Sequence, residues 1–225
     1  SLTLFGTASN TAAGTIDVWA NDGVSAPSFS ALTVAGTLNN AGTIELRSDA
    51  SSGYNASLIL GAAGVVNNSG TLHTMLGGTG GSTPTSFINP SGTNGVINNT
   101  GTFQVDSPTS VSVTTFDTSG GTLQVAAGQT LRFNNGGTVV VGTATSFGTA
   151  TGTVAVSGGT VNVASDTTVG AGGVTLSLTS TTVDGVGTLI NQGTLDSTND
   201  VVNVAMVNQG TASLDGSTVN GTLNN

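Results

Sequence analysis

Cleaving a polysaccharide takes two carboxylates facing each other, or a strong base beside a cation that stabilises developing charge. The acids of this chain that lie close in sequence are Asp17 with Asp22, Glu45 with Asp49, and Asp196 with Asp200, the last pair in the turn-like stretch LDSTND. The chain has no lysine, and its two arginines, Arg47 and Arg132, are far apart in sequence. Lone acids at turns ordinarily cap them. The expectation is a chain without catalytic residues, and so not an enzyme.

Metal chemistry is equally thin. There is no cysteine, which excludes disulfides and thiolate sites. His73 is the single histidine; in GTLHT it alternates with Leu72 and so faces outward or fills a polar corner. Asp49, Asp106, Asp166, Asp184 and Asp215 fall near strand ends, where loop carbonyls could complete a Ca²⁺ site. The calcium nonapeptide G-G-x-G-x-D is absent, since GGTGGSTP carries no acid. The expectation is no cofactor and no metal ligand, with Ca²⁺ the one ion the acids admit. Trp19 and Tyr54 are the aromatics placed to meet a ligand, Trp19 because it follows Val18 and points outward. Threonines in period two, as at Thr149, Thr151 and Thr153, raise the case of an ice-binding face, against which stands their irregular spacing along the chain.

Charge narrows the partners further. Eleven acids and two bases give a formal net charge of −9, so no basic patch can form and nucleic-acid binding is excluded. Anionic membranes repel such a chain. No stretch approaches the ~18 apolar residues of a membrane helix, so insertion into a membrane as a helix is not expected. Without lysine, lysine–asparagine isopeptide cross-links cannot form.

The elements that would position any site are strands. Gly-Thr followed by an apolar or small residue recurs along the chain, with copies at Gly14, Gly42, Gly70, Gly101, Gly121, Gly159, Gly193 and Gly210 among others. The residues after each copy alternate: Ile16 and Val18, Ile44 and Leu46, Phe103 and Val105, Leu123 and Val125, and Val161 and Val163 share one face. Asp17, Glu45, Gln104, Gln124 and Asn162 take the other. Strand, polar corner and strand, repeated end to end, predict a solenoid spanning 1–225 as one domain. Asn-Asn or Asn-Gln precedes several copies, as in LNNAGT, VNNSGT and INNTGT. Asparagines at one recurring corner would hydrogen-bond rung over rung, and Asn40, Asn68, Asn99 and Asn135 are the predicted ladder residues.

Successive copies are separated by unequal lengths, which predicts roughly nine to ten irregular rungs with loops thrown out at about 47–57 and 75–95. Neither end carries a capping helix, and the sequence closes on VNGTLNN, where another Gly-Thr strand would follow. Open strand edges at both ends predict either a fragment of a longer rod or stacking of copies head to tail.

The style of AGTLNNAGTIELRS and GVVNNSGTLHT resembles the right-handed parallel β-helix of bacterial surface proteins, namely autotransporter passengers and filamentous-haemagglutinin-like adhesins. SFINPSGTNG is similar to the Asn-Pro-Asn-Gly motif of two-partner secretion domains, with Ser91 in place of the second asparagine. The resemblance covers most of the chain as style and implies a secreted or cell-surface extracellular rod. Two functions follow as expectations: a structural fibre subunit whose partner is another copy of itself, or a segment of a larger adhesin polypeptide that binds a glycan or a cell-surface ligand through its loops. No catalytic residue is carried over.

Overall fold

A computed structural model describes residues 1–20, 30–49, 53–77, 83–89, 92, 94–134, 136–148, 151–170 and 173–225. The chain is a parallel β-helix. It contains no helix among the described residues; strands of two to seven residues alternate with tight corners. The second rung shows the unit: Ser30–Val34, Thr37–Asn40 and Thr43–Asp49 form three successive sides. The first face is a ten-stranded sheet running from Leu2–Leu4 to Thr211–Asp215, and the second is a ten-stranded sheet from Thr7–Asn10 to Thr218–Val219. The third face is divided. Five strands, Thr15–Trp19 to Thr122–Val125, form one sheet, and four, Thr167–Val169 to Leu223–Asn224, form another. Between them, among the described residues, the sixth rung contributes a single parallel bridge, Thr122 to Ser146. At ~4.8 Å per rung, the body is about 45 Å long.

Register explains why Gly-Thr recurs although its spacing does not. Thr43, Thr71, Thr102 and Thr122 pair in one column, and each N–H donates to the carbonyl of the corner glycine one rung earlier, as in Thr71 to Gly42 (2.8 Å) and Thr102 to Gly70 (2.8 Å). The next glycine sits directly over that carbonyl. A Cβ on Gly70 would lie 2.1 Å from Gly42 O, and one on Gly101 would lie 2.1 Å from Gly70 O. Glycine is required here by close approach, and threonine supplies the β-branched residue that opens the strand. Extra residues leave the rung at corners without shifting the register of the strands.

The loops are shorter than the sequence predicts. The strand Thr43–Asp49 takes the start of the 47–57 excursion and Ala56–Leu60 takes its end, with Asp49 bridged to Tyr54. Within 75–95, the strand Thr71–Gly77 continues to Gly77, and Ser86–Ile88 returns to the first face with Ile88 fully buried. Alternation carries both segments further into the sheet than their Gly, Ser and Pro content suggests.

The inward residues form one continuous core. Leu32, Leu58, Ile88, Val111, Phe133, Val156 and Leu178 stack on the first face. In its middle, Phe103, Phe116 and Phe133 come from the third, second and first faces and pack at centroid distances of 5.6 and 5.0 Å, the second pair edge to face. These rings fill the cross-section just where the third face is interrupted.

Two measurements check this account. Gly70→Ala should lower stability by ~1–3 kcal/mol, since the new methyl must displace backbone, whereas Gly120→Ala, which meets nothing closer than 3.7 Å, should leave the denaturation midpoint nearly unchanged. Phe116→Ala should cost ~3–5 kcal/mol in the same urea titration and should loosen the central rungs first.

Candidate functional site

The ladder forms at Asn40, Asn68 and Asn99, and it begins one rung earlier than expected, at Asn10. Asn10 Nδ2 donates to Asn40 Oδ1 (2.7 Å), Asn40 to Asn68 (2.6 Å) and Asn68 to Asn99 (2.7 Å). Each carboxamide nitrogen also reaches the carbonyl of the threonine opening the next strand of the third face, as Asn40 does to Thr71 O at 3.1 Å. All four asparagines are buried, so the ladder satisfies amides that would otherwise be costly to desolvate. Asn99 ends the series by donating to Thr118 Oγ1 (3.2 Å). Asn135 falls outside the described residues.

A second ladder was not foreseen. Asn191 Nδ2 donates to Asn208 Oδ1 (2.8 Å), and Asn208 donates to Asn225 Oδ1 (2.6 Å), at the corner leading from the third face back to the first. Its signal was present: Asn191 and Asn208 stand two residues before a Gly-Thr glycine, as Asn40 and Asn68 do. Asn10 was hidden because four residues, not two, separate it from Gly14. On the outer side of the second face, exposed Asn39 and half-buried Asn67 and Asn98 form a series running the opposite way, with 2.8 Å bonds from Asn98 to Asn67 and from Asn67 to Asn39. A shallow groove of about 470 Å³ follows this series.

Asp196 and Asp200, the acids of LDSTND, sit in different environments. Asp196 points outward from the strand Thr194–Thr198. Asp200 is buried and accepts from Thr181 N (2.7 Å) and from Ser197 Oγ (2.7 Å), which makes it a corner fastener between rungs. Asp22 lies outside the described residues. The calcium candidates are scattered. Asp166 accepts from Thr188 N, Asp184 from Gly185 N, and Asp106 from His73 and Gln104. Among the described residues, no three of His, Asp and Glu gather as a metal-holding group.

The outer face of the five-stranded sheet is different in kind. One column reads Asp17, Glu45, His73, Gln104 and Gln124, and beside it stand Trp19, Arg47 and Met75. Arg47 Nη2 bridges Asp17 Oδ2 (3.1 Å) and Glu45 Oε2, and its guanidinium carbon lies 5.8 Å from the Trp19 ring centroid. His73 Nε2 and Gln104 Nε2 both meet Asp106 Oδ2, at 2.9 and 2.7 Å. Trp19 and His73 therefore face outward, as their alternation predicts. The threonine columns are also regular once strands are aligned. Thr130, Thr153, Thr175, Thr194 and Thr211 share one register on the first face, so irregular spacing in sequence does not argue against an ordered threonine surface. Asp196 and Arg132 interrupt the adjoining column.

Comparison with protein-family models, curated proteins and solved structures finds no match to this chain.

Asn68→Ala breaks two ladder bonds and leaves Asn99 Oδ1 buried without its donor; it should cost ~1–3 kcal/mol. Asn68→Asp should cost more at neutral pH, since a carboxylate would face the carbonyls of Gly70 and Thr102. Burial beside those oxygens raises the folded-state pKa of the new acid above its unfolded value. The penalty is therefore full above the folded pKa and relieved as pH falls through it. Urea titrations of this variant at neutral and acid pH, each referred to the unaltered protein, read that trend.

Proposed function

We propose that this chain is a structural β-solenoid of an extracellular, cell-surface fibre, in which copies stack end to end through their terminal rungs. The observation that carries the reading is the state of the core at its two ends. On the first rung, Leu2 is 54% exposed and Ile16, Ala8 and Leu4 are only partly covered; on the tenth, Leu223 is 45% exposed and Leu214, Val219 and Ala212 are partly covered. These are core positions by register: Leu2 and Leu214 begin and end one first-face column, Ala8 and Val219 one second-face column. Ile16 and Leu223 are inward residues of the third face. A further parallel rung on either end buries apolar side chains on all three sides and pairs strand edges that are otherwise open.

A second copy fits that requirement position for position. Carried across the joint, the register sets Leu214 against Leu2 and Val219 against Ala8, while Thr218 meets Thr7. Parallel edges pair with like chemistry, so one copy extends another without a new type of contact. Among the described side chains of the two terminal rungs only Asp17 and Asp215 carry charge, which keeps like-charge repulsion at such a joint small. The resemblance to adhesin β-helices supports the extracellular setting, and the alternative reading, a rod segment within a longer adhesin, has its end rungs covered by neighbouring rungs of the same polypeptide.

Negative-stain electron microscopy of the purified chain over a concentration series tests this. Filaments of one constant width that lengthen with concentration are expected, and Leu214→Asp should reduce them to short rods while the circular dichroism spectrum keeps its β character. Isolated short rods at every concentration would contradict stacking of copies and favour the adhesin segment.

A further inference from the structure

Chemistry-bearing side chains are scarce in this protein, and they are not evenly spread. Charged residues make up 6% of the chain; it has one Trp, one His, one Glu and two Arg. Trp19, His73, Glu45 and Arg47 all stand on the outer face of the five-stranded third-face sheet, in adjacent columns. The two ten-stranded sheets, which are longer, hold none of these four residues. A role confined to stacking rungs does not require that concentration, because Thr, Ser and Asn serve most of the outside of the other faces, with Arg132, Asp196, Asp117 and Asp184 scattered singly among them.

The cluster is also preorganised. Trp19 is 46% exposed, yet its ring is held against Arg47, and Arg47 is fixed in turn by Asp17 and Glu45. Trp19 Nε1 lies over Gly77, two rungs away, where a Cβ would come within 3.0 Å of it. The indole therefore reaches along the solenoid axis from the first rung toward the third, and nearly half of the residue stays open to solvent. Arg47 Nε is the one buried side-chain polar atom without a hydrogen-bond partner among the described residues. From this platform the column Glu45, His73, Gln104 and Gln124 continues along the axis at one planar polar group per rung, ~4.8 Å apart. Gln124 makes no side-chain hydrogen bond and is exposed.

We infer that this face binds an extended, uncharged polysaccharide chain, laid along the solenoid axis with one sugar ring stacked on Trp19 and the following rings hydrogen-bonded by Glu45, His73, Gln104 and Gln124. An indole face receives the C–H side of a pyranose, and sugar hydroxyls both donate and accept. They suit a row that mixes carboxylate acceptors with amide and imidazole groups. The rung repeat is close to the repeat of a linear sugar chain. Three carboxylates, Asp17, Glu45 and Asp106, against Arg47 and His73, on a protein of net charge −9, disfavour anionic polymers. A peptide strand has nothing to pair with on this face, because the backbone groups of its strands bond to the rungs above and below. This binding is independent of end-to-end stacking and would operate on a single rod.

Trp19 is the sole tryptophan, so its fluorescence reports on the site directly. The full chain is titrated with cellohexaose, xylohexaose, laminarihexaose and chitohexaose, and run in native gels containing the corresponding soluble polysaccharides or polygalacturonate. A saturable change in emission with at least one neutral hexaose, and retardation by its polymer, is expected. Trp19→Ala should weaken retardation at least tenfold and Gln124→Ala severalfold, while Val186→Ala, at an exposed corner elsewhere, should not alter it. Gln124→Ala keeps the test valid if Trp19→Ala fails to fold. The proposal is overturned if no neutral glycan changes the emission or the mobility, if retardation survives in both site variants, or if polygalacturonate is bound in preference.

Discussion

In-register stacking is the constraint on which everything else in this protein depends. A parallel rung places each residue directly over its counterpart, so every position must tolerate a copy of its own chemistry one strand spacing away. Like charges are poor neighbours under that rule, and charged residues make up only 6% of the chain. Small hydroxyls, amides and branched aliphatics are good neighbours. The Gly-Thr corner is the sharpest expression of the rule. The glycine carbonyl accepts from the threonine N–H of the next rung, and the next glycine must lie so close above it that no side chain fits.

The buried asparagines extend the same logic to the side chains. A single buried carboxamide is a liability, whereas a stack of them satisfies donor with acceptor along the axis. Two ladders share the work, Asn10 to Asn99 near one end and Asn191 to Asn225 near the other, on different corners. Between them the third face breaks, hydroxyls of Thr118 and Thr145 take over the corner, and the three packed phenylalanines supply the central cross-section. On the five-stranded third-face sheet, where charges gather, the rule is answered differently: Arg47 bridges Asp17 of the preceding rung and Glu45 of its own strand, and His73 hydrogen-bonds Asp106 across rungs.

The solenoid was legible in the sequence because its two periodicities are written in residue types: alternation within strands, and Gly-Thr at corners. Ladder membership was legible where the asparagine stands two residues before the glycine, which identified Asn40, Asn68 and Asn99. It failed at Asn10, where the corner is longer; Asn135 lies outside the described residues. The extent of the loops was overestimated because Ser86–Ile88 is a strand of three residues inside a Gly-, Ser- and Pro-rich stretch. The polar cluster on the third face was illegible as a unit. Trp19, Arg47, His73 and Gln104 are spread over many tens of residues and meet only through register.

The central claim, that buried asparagine amides are bonded rung to rung, is tested most directly by hydrogen exchange of assigned Asn side-chain amides in solution. The account predicts slow exchange for the Nδ2 protons of buried Asn40 and Asn68, and distinctly faster exchange for those of Asn67 and Asn98, whose Nδ2 bonds lie on the half-exposed outer side of the second face. Equal, rapid exchange at all four would contradict the ladder and, with it, the stacking that places every other residue.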